Sequence, residues 1–300
     1  MNPITGIPDP PLGRDELMLP PVDPLDSRQF QLAVKRLADS LNFGADKSPF
    51  LGSGQEYVQS RPYEPGDPIK AMDWRVTART GKAYVKEYEA PKRMPVWLLI
   101  DTSASMAVSS APLSKYAWAV RIAGGLALSS LDRGSPAGVL TVGGRDLRLE
   151  PSLSRDRVMQ WLHALRRHRI TEPTTLSRRL AELAPALAGR CMLVVLSDLH
   201  DPCAVAALKL AAQRHETIVI QLTDPAEAPV RGAGFFRVRE AESGREYLSQ
   251  GRGSQLDFDG TAGTLRRAGV DHLRLVTDGP VLAPLREFVK NRGASARTVR

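Results

Sequence analysis

Val96-Trp-Leu-Leu-Ile-Asp101-Thr-Ser-Ala-Ser105 is the stretch that decides the fold. The apolar run from Val96 to Ile100 reads as a strand buried on both faces. Asp101, Ser103 and Ser105 then leave its carboxyl end at alternate positions, one carboxylate followed by two hydroxyls. In open α/β sheets ligands sit at that edge. One carboxylate, two hydroxyls and water suit a small hard cation such as Mg²⁺, which keeps part of its hydration shell. The plainer reading is that Asp101 or Ser103 caps a helix or forms a turn.

Two later segments favour the cation. Cys191-Met-Leu-Val-Val-Leu-Ser197 is a second buried-strand pattern, and it ends in Asp198. Between the two strands, Thr171-Glu-Pro-Thr-Thr-Leu176 leads into a helical pattern that runs through Ala188. The Asp-x-Ser-x-Ser spacing, with a distant Thr and a distant Asp in this order, resembles the metal-ion-dependent adhesion site of von Willebrand factor A domains. The resemblance implies a binding module rather than a catalyst. It also implies a ligand set of Asp101, Ser103, Ser105, Thr174 and Asp198 around one Mg²⁺, Mn²⁺ or Ca²⁺. Thr174 matches best, because a small polar residue and then an apolar one follow it; Thr175 is the runner-up.

Working outward, strand and helix patterns alternate from Pro95 onward. Strands are expected at 96–100, 137–142, 146–150, 191–197, 217–222 and 271–276, and helices near 115–131, 155–167, 176–188, 202–213, 261–268 and 281–290. Gly143-Gly144 joins two of the strands as a hairpin, and 235–250 reads as another hairpin turning at Glu242-Ser-Gly244. Such alternation predicts an α/β fold with a mostly parallel, doubly wound sheet and helices on both faces. The order is that of a von Willebrand A-like domain over 95–300. Residues 1–24 are rich in Pro and Gly and read as a flexible tail. Residues 25–94 hold a helix over 26–41, then a small β-rich and loop-rich segment.

Composition bounds the rest. With 41 basic and 33 acidic residues, the net charge of +8 favours acidic partners. The basic residues are dispersed and no nucleic-acid motif is present, so nucleic acid is not the expected partner. No window approaches the ~18 apolar residues of a membrane span, and Met1 to Pro11 lacks the regions of a secretory signal. Cys191 and Cys203 form neither a disulfide framework nor a zinc spacing. A cytoplasmic location is the expectation.

Residues 52–89 carry a more specific pattern: Gly52-Ser-Gly54, Ser60-Arg-Pro-Tyr-Glu-Pro-Gly-Asp67, Asp73-Trp-Arg75, Ala78-Arg-Thr-Gly81 and Val85-Lys-Glu-Tyr-Glu89. This resembles the hallmark of the bacterial domain-of-unknown-function-58 family, whose members join such a block to a von Willebrand A-like domain. The resemblance implies a MoxR-type AAA+ ATPase as partner, in the assembly or remodelling of other proteins. Read without the family, Pro65-Gly66 fits a type II turn with Asp67 bonding its backbone. Arg61, Arg75 and Arg79 lie among Glu64, Asp67, Asp73, Glu87 and Glu89, which predicts an ion-paired network, and Trp74 reads as a packing anchor.

An enzyme needs a nucleophile, a base or a cofactor loop. Of the five histidines only His200 falls near the proposed site, where it reads as a surface loop residue. No phosphate loop is present, so ATP hydrolysis is not expected. The sequence therefore predicts a non-enzymatic, metal-dependent protein-binding module, whose ion would take an acidic side chain from the partner. A metal-dependent hydrolase or phosphatase is the alternative, with Asp201 and Asp132 as spare acidic residues.

Overall fold

The computed structural model describes residues 25–42, 57–67, 69–88, 94–144, 147–167, 172–227, 236–239, 246–249 and 258–295. The tail at 1–24, Gly52-Ser-Gly54, Glu89, Thr171 and the turn at Glu242–Gly244 lie outside these residues.

The chain opens with helix α1 (Ser27–Asn42), whose amino end is capped by Asp26 through the Gln29 N–H at 2.8 Å. Strands β1 (Tyr57–Pro62) and β2 (Tyr84–Tyr88) pair antiparallel, with the short helix α2 (Trp74–Thr80) between them. There follow β3 (Val96–Ile100), α3 (Lys115–Asp132), β4 (Ala137–Thr141), β5 (Arg148–Ser152), α4 (Arg155–Arg166), α5 (Leu176–Ala186), β6 (Met192–Ser197), α6 (Ala204–Ala212) and β7 (Glu216–Thr223). A small hairpin, β8 (Phe236–Arg239) with β9 (Glu246–Ser249), precedes α7 (Phe258–Arg267), β10 (Asp271–Val276) and α8 (Leu282–Ser295).

The main sheet has six strands in the order β10-β7-β6-β3-β4-β5, all parallel except β5. Period-2 alternation divides the inner strands between two cores. Val96, Leu98 and Ile100 face a core shared with Phe30, Val34 and Leu37 of α1, with α3 and α4, and with Leu285 and Val289 of α8. Trp97 and Leu99 face the opposite core, filled by α5, α6 and Leu265 of α7. Helix α1 is thus built into the sheet's core, although the β1–β2 block separates the two in sequence. Gly125 of α3 makes that packing close, since a Cβ there would lie 1.6 Å from Leu37 Cδ2.

β3 runs on to β4 on one side and lies beside β6 on the other, so connections leave it in opposite directions. This reversal opens a crevice at the carboxyl ends of β3 and β6. At the far edge, Arg292 of α8 clamps the starts of β7 and β10, with bonds of 2.6 Å to Glu216 and 2.6 Å to Asp271.

The β1–β2 block corrects one expectation. Trp74 is 64 % exposed, so it anchors no packing among the described residues; a two-stranded sheet with a two-turn helix offers it no second layer. Within the expected arginine network, Arg61 and Asp67 form a bidentate pair at 2.7 and 2.8 Å. Its hydrogen bonds, led by Arg61, hold the Asp67 carboxyl below its ordinary range. Asp73 instead caps α2 through the Arg75 and Val76 N–H groups and accepts the Ser60 hydroxyl at 2.6 Å. Gly66 takes φ +112°, as the type II turn requires at that place.

Candidate functional site

β3 ends at Ile100, and the next residue is fully buried Asp101. Its N–H still bonds Leu196 O of β6 at 2.9 Å, so the carboxylate is held at the crevice by sheet geometry. Oδ1 accepts the Ser103 N–H at 3.0 Å. Oδ2 accepts the Ser197 hydroxyl at 2.6 Å and the Thr174 hydroxyl at 3.3 Å. The Ser103 and Ser105 hydroxyls bond each other at 3.0 Å. Asp101, Ser103, Ser105, Thr174 and Asp198 therefore come together from three separate segments.

The loop that brings Thr174 is stitched to two strand ends. Glu172 O accepts the Ala104 N–H at 2.8 Å, and the Thr175 N–H reaches Val142 O at 2.8 Å. The Thr175 hydroxyl is committed to Gly143 O at 2.8 Å, which leaves Thr174 as the threonine on Asp101. Gly143 lets Thr102 pack close beside it, because a Cβ there would sit 2.0 Å from Thr102 Oγ1.

On the β6 side, Ser197-Asp198-Leu199-His200 turns sharply. Leu199 takes φ +62°, a conformation that costs a branched side chain about 1–2 kcal/mol and that clusters at functional sites. The turn points both Asp198 and His200 at one spot. His200 Nδ1 lies 3.3 Å from Asp198 Oδ2, and Gln221 Nε2 donates to Asp198 O at 3.2 Å.

Sequence reasoning did not find Lys115 or Glu227. Lys115 is fully buried; its ammonium lies 2.7 Å from Asp198 Oδ2 and also bonds Glu227 Oε1. Glu227 Oε2 accepts the Asp224 N–H at 3.1 Å. One signal was available: Lys115 occupies the first turn of α3, where the helix dipole disfavours a cation. Nothing local identified Glu227. Asp201 and Asp132, the spare acidic residues, are used structurally. Asp201 accepts the Ser177 and Cys203 N–H groups, and Asp132 pairs with Arg155 and Asn42.

The electrostatics are uneven. Burial, with Asp198 nearby, pushes the Asp101 carboxyl up to about 7, against the pull of its Ser197 and Ser103 bonds. Burial works the same way on Asp198, but Lys115 and His200 outweigh it and hold that carboxyl below its ordinary range. Burial pulls the Lys115 ammonium down, while Asp198 and Glu227 more than offset it and raise it. Two buried carboxylates beside converging hydroxyls form an oxygen-donor set with excess negative charge, which suits Mg²⁺ or Mn²⁺. Thr174 is the half-buried member, so the set meets solvent on that side.

Fold and site together define a doubly wound α/β protein with a carboxylate–hydroxyl cluster at its topological switch point. Residues 59–255 match the family described as "Protein of unknown function DUF58", and the chain belongs to that family. An uncharacterised protein of Mycobacterium bovis, Mb1516, is 30% identical over 286 residues, 90% of this chain and 89% of its own. An uncharacterised protein of Bacillus subtilis, YeaD, is 30% identical over 83 residues, 28% of this chain and 19% of its own. An uncharacterised membrane spanning protein from Vibrio fischeri superposes at TM-score 0.23 and 16% identity, over 66% of this chain and 96% of its own. No described helix of this chain is long and apolar enough to cross a membrane.

Proposed function

We propose that this chain is a non-enzymatic, metal-dependent protein-binding module of von Willebrand A-like type. One Mg²⁺ or Mn²⁺ would be held by Asp101, Ser103, Ser105, Thr174 and Asp198, directly or through water. The observation that carries this reading is the convergence of these side chains at one sheet edge, with two buried carboxylates close enough to disfavour joint ionisation. A bound ion supplies a strong local positive charge that an acidic side chain of a partner protein can meet. The chain's own residues do the rest. Ser197 and Thr174 orient Asp101, Gln221 fixes the Asp198 backbone, and the Glu172 and Thr175 bonds hold the rim. Ser103 and Ser105 bond each other, and no hydrogen bond among the described residues joins either to His200, which favours binding over nucleophilic catalysis.

The partner in this reading is a cytoplasmic MoxR-type AAA+ ATPase, and the net charge of +8 would speed encounter with an acidic surface. The test is calorimetric titration of the full chain with Mn²⁺. Binding should be measurable in the wild type and absent in Asp101→Ala; equal binding in both would refute the assignment. Affinity for the ATPase should then fall with chelator and, separately, with salt. Turnover of a generic phosphoester with Mn²⁺, lost in Asp101→Ala, would favour a hydrolase instead.

A further inference from the structure

The cation already at this site is a side chain. Lys115 is fully buried, and its ammonium bonds Asp198 Oδ2 at 2.7 Å and Glu227 Oε1. His200 Nδ1 lies 3.3 Å from the same Asp198 oxygen, and His200 Nε2 lies 3.9 Å from Glu227 Oε1. Ligand atoms of Asp198, His200 and Glu227 thus lie within 4.8 Å of one another, and the lysine fills the space between the carboxylates. Asp198 therefore sits between two groups. One face meets the Asp101, Ser103 and Ser105 group, and Oδ2 is held by Lys115.

We propose that the Lys115 ammonium is the internal competitor of the metal ion for Asp198, and that ion binding shifts Lys115 onto Glu227. This deepens the metal reading above and rests on it. A divalent ion on Asp198 repels an ammonium bonded to the same carboxylate, and burial keeps that repulsion from being screened. Glu227 is the seat left to the lysine, because the Asp224 N–H at 3.1 Å fixes its other oxygen. Asp224 in turn accepts the Ser110 N–H at 3.0 Å and the Thr277 hydroxyl at 2.8 Å. The lysine's second position is thereby tied to the loop that precedes α3. The arrangement explains how two buried carboxylates are tolerated without an ion: the lysine compensates one of them, at the cost of ion affinity.

The test uses the full chain with Mn²⁺ alone, reading both the dissociation constant and the thermal midpoint with and without chelator. Mn²⁺ should raise the wild-type midpoint over its value in chelator, but by less than it raises that of Lys115→Met. Lys115→Met should melt lower in chelator, recover with Mn²⁺, and bind Mn²⁺ about tenfold tighter or more. If Lys115→Met is too unstable to handle, Lys115→Met with Glu227→Gln removes one charge of each sign. That double variant should bind Mn²⁺ tighter than Glu227→Gln alone. Wild-type binding that is unchanged or weakened by either lysine replacement overturns the competition and leaves the metal site standing. No Mn²⁺ binding in any of these proteins overturns both.

Discussion

Asp101 is where the chemistry of this protein concentrates, and its environment has a measurable signature. In the folded chain its carboxyl is raised to about 7, against 3.8 as its ordinary value. The folded state therefore holds a proton that the unfolded state releases. That contribution to stability is fully present below about pH 4 and is lost as pH rises to about 7. In chelator, Asp101→Asn should match the wild type near pH 4 and exceed it at pH 8, by on the order of 2–4 kcal/mol. Saturating Mn²⁺ at pH 8 should stabilise the wild type and leave Asp101→Asn unmoved. Denaturant melts at both pH values check this, and a gap that does not grow with pH would contradict it. The position of Asp101 at the sheet edge was legible in sequence because it directly follows an apolar strand. The choice between Thr174 and Thr175 was not, because neighbouring hydroxyls differ only in where the loop points them.

At the scale of elements, the tightest constraint on the fold is the crossing of α1 and α3. Gly125 leaves no room for a methyl group against Leu37, so Gly125→Ala should destabilise by about 1–3 kcal/mol through overpacking. Leu37→Ala alone should cost about 2–5 kcal/mol through the lost burial and the cavity. Combined, the two should cost clearly less than their sum, because the smaller side chain makes space for the new methyl. Chemical denaturation of the four proteins closes the cycle; strict additivity would mean the helices do not meet at this point. Periodicity showed both helices in the sequence but not that they touch, since the whole β1–β2 block intervenes between them.

On the scale of the whole molecule, the block around β1, β2 and α2 is expected to depend on the rest of the chain. Asp73 and Val85 are the buried side chains among its described residues, far too few for a core. A soluble fragment of residues 50–94 should give collapsed, poorly dispersed amide NMR signals. Dispersed signals would show it folding alone. The exposed Trp74 is the sharpest departure from the sequence reading of this block. An aromatic residue inside a family pattern suggests packing, yet nothing described here forms a layer to receive it.

What the sequence determined by itself was whatever is written in short range. Buried strands show as apolar runs, helices as periodicity, and their alternation implies a parallel sheet with helices on both faces. The strand ends bearing Asp101 and Asp198 followed from the same patterns. Tertiary structure alone decided the strand order that sets those two ends side by side, the seat of α1 on α3, and the burial of Lys115 between Asp198 and Glu227. These depend on pairings between residues tens of positions apart. A lysine in the first turn of a helix reads as solvated until the fold removes water from around it, and only then does its charge govern the site.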